Sequence, residues 1–231
     1  MWINWNDLPE SMKNEQVRPY YETLKQKRES LIVKRLFDIL VSAVMLILLS
    51  WLFLILAIAI KVDSHGPVFY RQVRVTTGNR DFRIFKFRTM VNNADKIGSL
   101  VTTGNDSRIT RVGAKIRKCR LDEIPQLINI LKGEMSFVGT RPEVRKYVDR
   151  YTDEMMATLL MPAGVTSLAS ISFKDEDELI DEYTEKGMSV DVAYMKKVLP
   201  EKMKYNLEYM NQFSFFRDIK LMIQTFISVI K

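Results

Sequence analysis

The sequence contains few of the residues that form metal sites and disulfides. Its 231 residues include one cysteine, Cys119, and one histidine, His65. A single cysteine excludes a disulfide framework and a cysteine-rich zinc site, and it is typical of proteins in a reducing compartment. With a single histidine, a histidine-based metal site or a Ser-His-Asp triad is not expected. Charged side chains are therefore the first place to look for chemistry.

Acidic residues are also in short supply relative to basic ones. Lys and Arg total 35 against 28 Asp and Glu, which gives a net charge of +7. Such an excess favours phosphate-bearing partners or an anionic membrane surface. No known nucleic-acid-binding motif occurs and the aromatic residues do not alternate with the basic clusters, so nucleic acid is not expected as a partner. A hydrophobic content of 47% excludes a disordered chain.

One stretch lacks charge altogether, and it is long. Residues 39–60 are uncharged, and as a helix they could cross a hydrocarbon layer of about 30 Å. The alternative, a buried helix of a soluble protein, is seldom apolar on every face over this length. A signal peptide would lie nearer the start and carry a small-residue cleavage site. The stretch is therefore predicted to be a membrane segment.

Basic residues flank this segment on both sides. Lys25, Lys27, Arg28, Lys34 and Arg35 precede it, and Lys61, Arg71, Arg74 and Arg80 follow it. Because the positive-inside rule assigns both ends to the cytoplasm, a re-entrant hairpin fits better than a single crossing. Ser50 is the one polar residue near the middle, and serine bends helices without turning them sharply, so the turn itself stays open. Asp38, at the head of the segment, is expected at the membrane interface beside Lys34 or Arg35.

The chain divides around the membrane segment without a linker between two globular domains. We expect a cytoplasmic extension over residues 1–30, a re-entrant membrane helix over 31–62 and a cytoplasmic domain over 63–231 that ends in an amphipathic helix. The fold class is predicted as α/β in the α+β sense, mostly helical with a small β-hairpin or sheet. Strands are expected at 68–75 and 82–87. Helices are expected at 22–30, 93–100, 113–118, 124–131, 142–158, 175–186 and 213–230.

The densest polar cluster surrounds the pair Asp122-Glu123. An ordinary interpretation is helix capping, because the pair precedes an apolar helix with Pro125 in its first turn. However, Arg108, Arg111 and Arg117 come within the preceding 14 residues, and cations beside a helix N-terminus form an anion site. An Asp in such a field should stay ionised and could attack phosphorus. Two adjacent carboxylates could also hold Mg²⁺.

Two further clusters carry cations that suit phosphate. Lys86 and Arg88 end the second predicted strand, and alternation places them on one face. Arg141 follows a glycine-bounded turn and could bind a phosphate with two hydrogen bonds. A solvated surface explains the first cluster equally well. Asp175-Glu176-Asp177 has the Asp-x-Asp pattern of many glycosyltransferases, but an acidic surface helix explains it better.

Six motifs in order resemble the bacterial sugar transferases, the small monotopic phosphoglycosyl transferases that initiate capsule, exopolysaccharide or glycan assembly. The resemblance covers roughly residues 31–231. The motifs are Gly66-Pro67-Val-Phe-Tyr-Arg71-Gln72-x-Arg74, Lys86-Phe-Arg88-Thr-Met90, Asp106-x-Arg108-Ile-Thr-Arg111-x-Gly113, Leu121-Asp122-Glu123-Ile-Pro125-Gln126-Leu127, Gly133-Glu-Met-Ser136-Phe-Val-Gly139-Thr-Arg141-Pro142 and Pro162-Ala-Gly-Val-Thr-Ser-Leu-Ala. Lys34-Arg35-Leu-Phe-Asp38 precedes them. Where the family breaks its membrane helix at Ser-Pro, this chain has Ser50-Trp51.

The resemblance implies a specific reaction for the 63–231 domain. Such enzymes transfer a sugar-1-phosphate from a UDP-sugar to polyprenyl (undecaprenyl) phosphate with Mg²⁺ and release UMP, as the first membrane step of glycan assembly. Asp122 would attack the β-phosphate and form a covalent phosphosugar intermediate. Glu123 would help Asp122 to hold Mg²⁺, or accept the acceptor's proton. Substrate binding would fall to Lys86, Arg88, Arg108, Arg111, Arg117 and Arg141.

The expected location is the cytoplasmic face of a bacterial inner membrane, with membrane lipids as neighbours. Two other functions stay open from the sequence. One is a membrane-anchored hydrolase that gives the phosphosugar to water. The other is a non-catalytic, membrane-tethered basic scaffold. The sugar, the pathway and the oligomeric state, a homodimer included, are not fixed by the sequence.

Overall fold

The protein is mostly helical and carries two small sheets, which confirms the predicted α+β class. The computed structural model describes residues 3–94, 106–173 and 176–230. Four strands occur: β1 Phe69–Thr76, β2 Arg80–Phe87, β3 Met135–Val138 and β4 Ala163–Thr166. The helices are α1 Arg18–Gln26, α2 Arg28–Leu48, α3 Ser50–Asp63, α4 Arg111–Lys118, α5 Gln126–Lys132, α6 Arg145–Val148, α7 Leu168–Ser172, α8 Glu176–Glu185, α9 Val190–Ala193, α10 Leu199–Asn211 and α11 Phe215–Ile230.

The predicted hairpin is confirmed. β1 pairs antiparallel with β2 from Phe69↔Phe87 to Thr76↔Arg80, and a single turn at Thr77–Asn79 joins them. Directly opposed residues in an antiparallel pair share a face of the sheet. Tyr70 is opposed to Lys86, so Lys86 shares its face with the even-numbered residues of β1.

The second sheet was not predicted, and its two strands flank a segment that was expected to be one helix. β3 and β4 pair in parallel, and their close approach continues to Gly139 and Gly164. A Cβ on Gly164 would lie 2.2 Å from the Gly139 nitrogen, so both positions need glycine. The helix predicted over 142–158 is wrong. Glu143 is bonded through its carbonyl to the Val75 nitrogen, and this long-range contact holds the chain extended before the four-residue helix α6.

The other predicted helices are found with shifted ends. The segment 22–30 is divided at Lys27 between α1 and α2, while 113–118, 124–131 and 213–230 correspond to α4, α5 and α11. α8 covers residues 176–185 of the predicted segment 175–186, and Lys186 lies in the turn that follows. Most of the helix predicted over 93–100 lies outside the described residues.

The apolar segment forms two helices that meet at Leu49. Among the described residues, no single helix is both long and apolar enough to cross a bilayer; α2 and α3 reach that threshold only together, with a bend of 61° between them. Their outer ends pack on the rest of the chain. Residues preceding α2 are buried with Tyr209 and Phe213, and the end of α3 is buried with Phe87. Both ends of the pair therefore contact the same body of the protein.

A buried ion pair fixes α2 against β3 and α11. Lys34 Nζ lies 2.5 Å from Asp218 Oδ2 and donates to the Val138 carbonyl at 2.7 Å, while the Tyr209 hydroxyl donates to Asp218 at 2.9 Å. Asp38 is 1% exposed and accepts a hydrogen bond from the Phe137 nitrogen at 3.2 Å. Asp38 thus lies inside the protein, and its expected position at a membrane interface stays a prediction.

Replacing Lys34 by methionine should destabilise the fold strongly. Lys34→Met leaves the Asp218 carboxylate buried without its cation, which should lower the free energy of unfolding by about 3–5 kcal/mol. The double variant Lys34→Met/Asp218→Asn should regain part of that loss, because no unpaired charge remains. Denaturant unfolding in detergent measures both. Lys204→Met, which breaks the exposed pair with Glu201, is the matched control and should change stability little. Equal losses in Lys34→Met and the control would contradict the role assigned to Lys34.

Candidate active site

A tight turn presents the two adjacent carboxylates. Asp122 and Glu123 lie in the single turn Leu121–Glu123 between α4 and α5. Arg120 precedes it with φ 55°, a left-handed conformation that costs a non-glycine residue about 1–2 kcal/mol. α5 begins after Pro125 without a side-chain cap. The capping interpretation of this pair therefore loses its support, and the strained turn is left to orient the carboxylates.

Glu123 is held in its ionised form by Lys86. Lys86 Nζ on β2 lies 2.8 Å from Glu123 Oε1. Burial acts to raise the pKa of Glu123, but the charge and hydrogen bond of Lys86 outweigh it. The charges of Arg141 and Arg120 act in the same direction as Lys86, and the pKa falls to about 2. Glu123 is consequently an anion throughout the physiological range.

Asp122 is shifted in the opposite direction. Burial raises the pKa of Asp122 above its ordinary value, and the neighbouring negative charge of Glu123 adds to that rise. The charges of Lys86 and Arg117 oppose it. The nearby cations alone would lower the pKa of Asp122, and burial reverses the direction of that shift. Adjacent carboxyls with pKa values driven apart are a common feature of catalytic sites.

A cavity of about 490 Å³ opens beside Asp122, within the usual range of about 300–1,000 Å³ for ligand sites. Besides Arg88, three of the predicted cations line it together with Asp122. They are Lys86, Arg108 and Arg117. Arg108 also pairs with Asp106 at 2.5 Å and donates to the Ala94 carbonyl at 2.9 Å. The structure therefore brings a candidate nucleophile and several cations to one pocket.

The other predicted cations are placed differently. Arg88 borders the cavity, but its guanidinium donates to the Ser64 and His65 carbonyls at 2.6 and 2.5 Å. Arg141 is exposed on the loop after β3, close enough for its charge to lower the pKa of Glu123. Arg111 is exposed at the start of α4. Substrate binding by each of these three residues stays a prediction.

Comparison with known proteins places this geometry in a family. Residues 29–231 match the family described as "Bacterial sugar transferase". The chain belongs to the bacterial sugar transferase family.

Its relatives in this family are named for undecaprenyl-phosphate chemistry or for exopolysaccharide production. The UDP-N-acetylgalactosamine-undecaprenyl-phosphate N-acetylgalactosaminephosphotransferase of Aeromonas hydrophila is 36% identical over 84% of this chain and 42% of its own length. The UDP-glucose:undecaprenyl-phosphate glucose-1-phosphate transferase of Klebsiella pneumoniae is 34% identical over 85% and 40%. The exopolysaccharide production protein ExoY of Rhizobium meliloti (strain 1021) is 32% identical over 83% of each chain. The chain thus spans about two fifths of the first two relatives.

In this bacterial sugar transferase, sequence reasoning missed the side chains of β1. Tyr70, Gln72 and Arg74 line the cavity, and they alternate along the strand opposite Lys86. Arg74 was grouped with the cations flanking the membrane segment, yet it donates to the Pro142 carbonyl at 3.2 Å and to Gln72 at 2.7 Å. Side chains alternate along β1, and the even-numbered ones share a face with Lys86. This pattern in the sequence could have identified all three residues.

The residues present are compatible with Mg²⁺. The described residues contain no group of three or more His, Cys, Asp and Glu that could hold a metal, so Asp122 and Glu123 are the protein ligands to consider. Mg²⁺ commonly binds through one or two carboxylates while substrate phosphates and waters complete its shell. One Glu123 oxygen is occupied by Lys86. The site therefore suits a cation that arrives with a diphosphate.

Replacing Lys86 by methionine should raise the pKa of both carboxyls. Lys86 is the strongest influence that lowers either pKa, so Lys86→Met removes the same support from Asp122 and Glu123. Carbon-13 NMR titration of Asp- and Glu-labelled protein measures the shifts. Because a depressed pKa stabilises the fold above the unfolded value and is lost as the pH falls, the variant should also lose the stabilisation that Glu123 gives above about pH 4.5.

The control for this prediction is Lys115→Met, which removes an exposed lysine from α4. It should leave both titrations unchanged. A Glu123 pKa that stays near 2 in Lys86→Met would show that Lys86 does not set the charge of the site.

Proposed function

We propose that this bacterial sugar transferase moves a sugar-1-phosphate from a UDP-sugar to undecaprenyl phosphate and releases UMP. The names of its relatives support a UDP-sugar as the donor and undecaprenyl phosphate as the acceptor. The observation that carries the proposal is the position of Asp122 on the wall of a cavity lined by Lys86, Arg108 and Arg117. A carboxylate can approach a diphosphate only where cations offset the negative charge of both.

The reaction proceeds in two displacements at one phosphorus atom. An Asp122 oxygen forms a bond to the β-phosphorus while the bond from that phosphorus to the bridging oxygen breaks, and UMP leaves with the electron pair. A phosphate oxygen of undecaprenyl phosphate then attacks the same phosphorus, and Asp122 departs as a free carboxylate. The product is the sugar joined to the lipid through a diphosphate. Such covalent catalysis divides one difficult transfer into two easier steps.

The surrounding charged residues neutralise and bind the phosphates and the metal. Lys86, Arg108 and Arg117 neutralise phosphate oxygens in the cavity, and Arg141 binds the donor from the rim. Mg²⁺, held by Asp122, Glu123 and the diphosphate, would supply further charge neutralisation. A carboxylate with a pKa of about 2 is a weak proton acceptor. Of the two roles open to Glu123, metal binding is therefore favoured over acting as a base.

We also place the enzyme on the cytoplasmic face of the bacterial inner membrane, with α2 and α3 embedded from one side. The residue distribution of α2 supports this, because it is the reverse of that in a soluble protein: its buried residues include Lys34, Asp38 and Ser42. Large apolar side chains point outward from α2, α3 and α11. They are Ile32, Val33, Leu36, Ile39, Leu40, Val44, Ile47, Leu48, Trp51, Leu54, Ile55, Ile58, Val62, Phe216, Ile223, Phe226 and Ile227. An apolar surface of this kind needs lipid or protein to cover it.

Re-entry is supported by the packing of both ends of the α2–α3 pair on one body. A segment that crossed the bilayer would separate its ends by about 30 Å of hydrocarbon. Here the start of α2 packs in one hydrophobic cluster and the end of α3 in another, and both clusters belong to the same folded chain outside the apolar pair. Undecaprenyl phosphate would then reach the cavity from the bilayer and the UDP-sugar from the cytoplasm. That location suits the first membrane step of glycan assembly.

Mass spectrometry of the intact protein tests the covalent mechanism. Incubation with Mg²⁺ and a panel of UDP-sugars should add a phosphosugar mass at Asp122 and release UMP. Asp122→Asn should form no adduct and lose at least about 10³-fold in turnover. Asp153→Asn, an exposed carboxylate, is the control and should react normally.

The two rival functions give different results in the same assay. A hydrolase would release the phosphosugar to water at a rate that undecaprenyl phosphate does not change, and it would form no lipid-linked product. A scaffold would show no adduct, and Asp122→Asn would retain every function. Either result would overturn the proposed transferase.

Cysteine labelling tests the topology. In a Cys119→Ser background, Gln16→Cys and His65→Cys place single exposed thiols before α2 and after α3. A membrane-impermeant maleimide should label both from the cytoplasmic side in inverted vesicles and neither in intact spheroplasts. Labelling from opposite sides would show that the segment crosses the membrane.

A further inference from the structure

Arg141 belongs to a short segment that is fixed at several points. The Thr140 carbonyl accepts a hydrogen bond from the Gly164 nitrogen at 2.8 Å, and the Pro142 carbonyl accepts one from Arg74 at 3.2 Å. The next residue, Glu143, is bonded through its carbonyl to the Val75 nitrogen at 3.0 Å. The backbone on both sides of Arg141 is therefore tied to β1 and β4, and the arginine side chain is left exposed at the rim of the site.

The Glu143 side chain is buried behind this segment in a polar network that the proposed reaction does not use. Glu143 is 5% exposed, and its Oε1 accepts a hydrogen bond from the Tyr194 hydroxyl at 2.7 Å. Lys202 on α10, also buried, lies 3.4 Å from that hydroxyl and 2.6 Å from Glu176 at the start of α8. Burying two charged groups, Glu143 and Lys202, is expensive unless each is partnered. A buried polar network of this kind points to a role beyond packing.

Tyr194 is the donor that links the two halves of this network. Burial raises the pKa of Tyr194 well above its ordinary value, and the negative charge of Glu143 adds to the rise. The hydroxyl therefore keeps its proton and can donate to Glu143 at every physiological pH. Since buried Glu143 can point only where that bond allows, Tyr194 fixes a side chain two residues beyond Arg141.

We propose that Tyr194 is a positioning residue for Arg141. Its hydrogen bond to Glu143 holds the Arg141-Pro142-Glu143 segment so that the Arg141 guanidinium meets the phosphates of the donor. The proposal rests on the function proposed above, in which Arg141 binds the UDP-sugar. It also gives the C-terminal helices a task, because Lys202 and Glu176 connect α10 and α8 to the same bond.

A double-mutant cycle with UDP as the probe tests this role, since UDP carries the phosphates shared by every donor of this class. Tyr194→Phe keeps the ring and removes the hydroxyl, and it should weaken UDP binding about five- to tenfold. Arg141→Gln should weaken it by at least as much. In the Arg141→Gln background, Tyr194→Phe should cause no further loss, because the residue acts through Arg141. Calorimetric titration of the full-length protein in detergent measures all four affinities.

Two further variants separate positioning from general stability. Tyr147 stacks on Tyr194 with ring centroids 4.7 Å apart, but its hydroxyl donates to Asp191. Tyr147→Phe thus removes the same hydroxyl group from the ring next to Tyr194. It should leave UDP affinity unchanged even if the midpoint temperature of thermal unfolding falls. Glu143→Gln retains an acceptor for Tyr194 and should bind UDP nearly as well as the parent protein. These two results would support positioning, and a loss of UDP affinity in Tyr147→Phe equal to that in Tyr194→Phe would overturn it.

The cycle also distinguishes this proposal from the proposed function. Equal losses from Tyr194→Phe with and without Arg141 would overturn the positioning role while leaving the transferase intact. So would unchanged UDP affinity in Tyr194→Phe. Failure of the parent protein to bind UDP and to make a lipid-linked product would overturn the transferase, and the positioning role would fall with it.

Discussion

The arrangement of this protein depends on a cation buried near the start of its apolar helix pair. Lys34 is 2% exposed within α2, and an ammonium group removed from water must be paired and hydrogen-bonded. Asp218 and the Val138 carbonyl meet that requirement, so α2 can dock only where α11 and the end of β3 come together. Val138 is followed directly by Gly139, Thr140 and Arg141. One electrostatic requirement thus places the apolar helices and the loop that carries a candidate phosphate ligand.

A second lysine organises the carboxylates in a comparable way. Among the described residues, Lys86 forms its side-chain hydrogen bond with Glu123 and not with Asp122. This difference helps to drive the pKa values of the two neighbouring carboxyls apart. Glu123 becomes a permanent anion, while burial and the charge of Glu123 raise the pKa of Asp122. A carboxylate that is not tied to a lysine by a hydrogen bond remains available as a nucleophile. Cations brought by the substrate would further favour its ionised, nucleophilic form.

Local patterns predicted the elements whose partners are close in sequence. The hairpin, α4 and α5 follow from alternation and turn signals, and Asp122 follows from a motif within one turn. The β3–β4 sheet and the absence of a helix over 142–158 depend on residues that are far apart in sequence. The Val75 nitrogen donates a hydrogen bond to the Glu143 carbonyl, and Ala163 pairs with Met135. Burial is equally nonlocal. The interior position of Asp38 and the burial that raises the pKa of Asp122 depend on how distant parts of the chain pack.

Arg88 illustrates how the apolar helices and the site are connected. Its motif suggested a phosphate ligand, but its guanidinium binds the Ser64 and His65 carbonyls at the end of α3. The approach is so close that a Cβ on Gly66, at φ 129°, would lie 1.9 Å from Arg88 Nη1. Arg88 follows β2 directly, two residues after Lys86. A cation at this position therefore ties the end of α3 to the strand that carries Lys86, and it couples the position of the helix pair to the wall of the cavity.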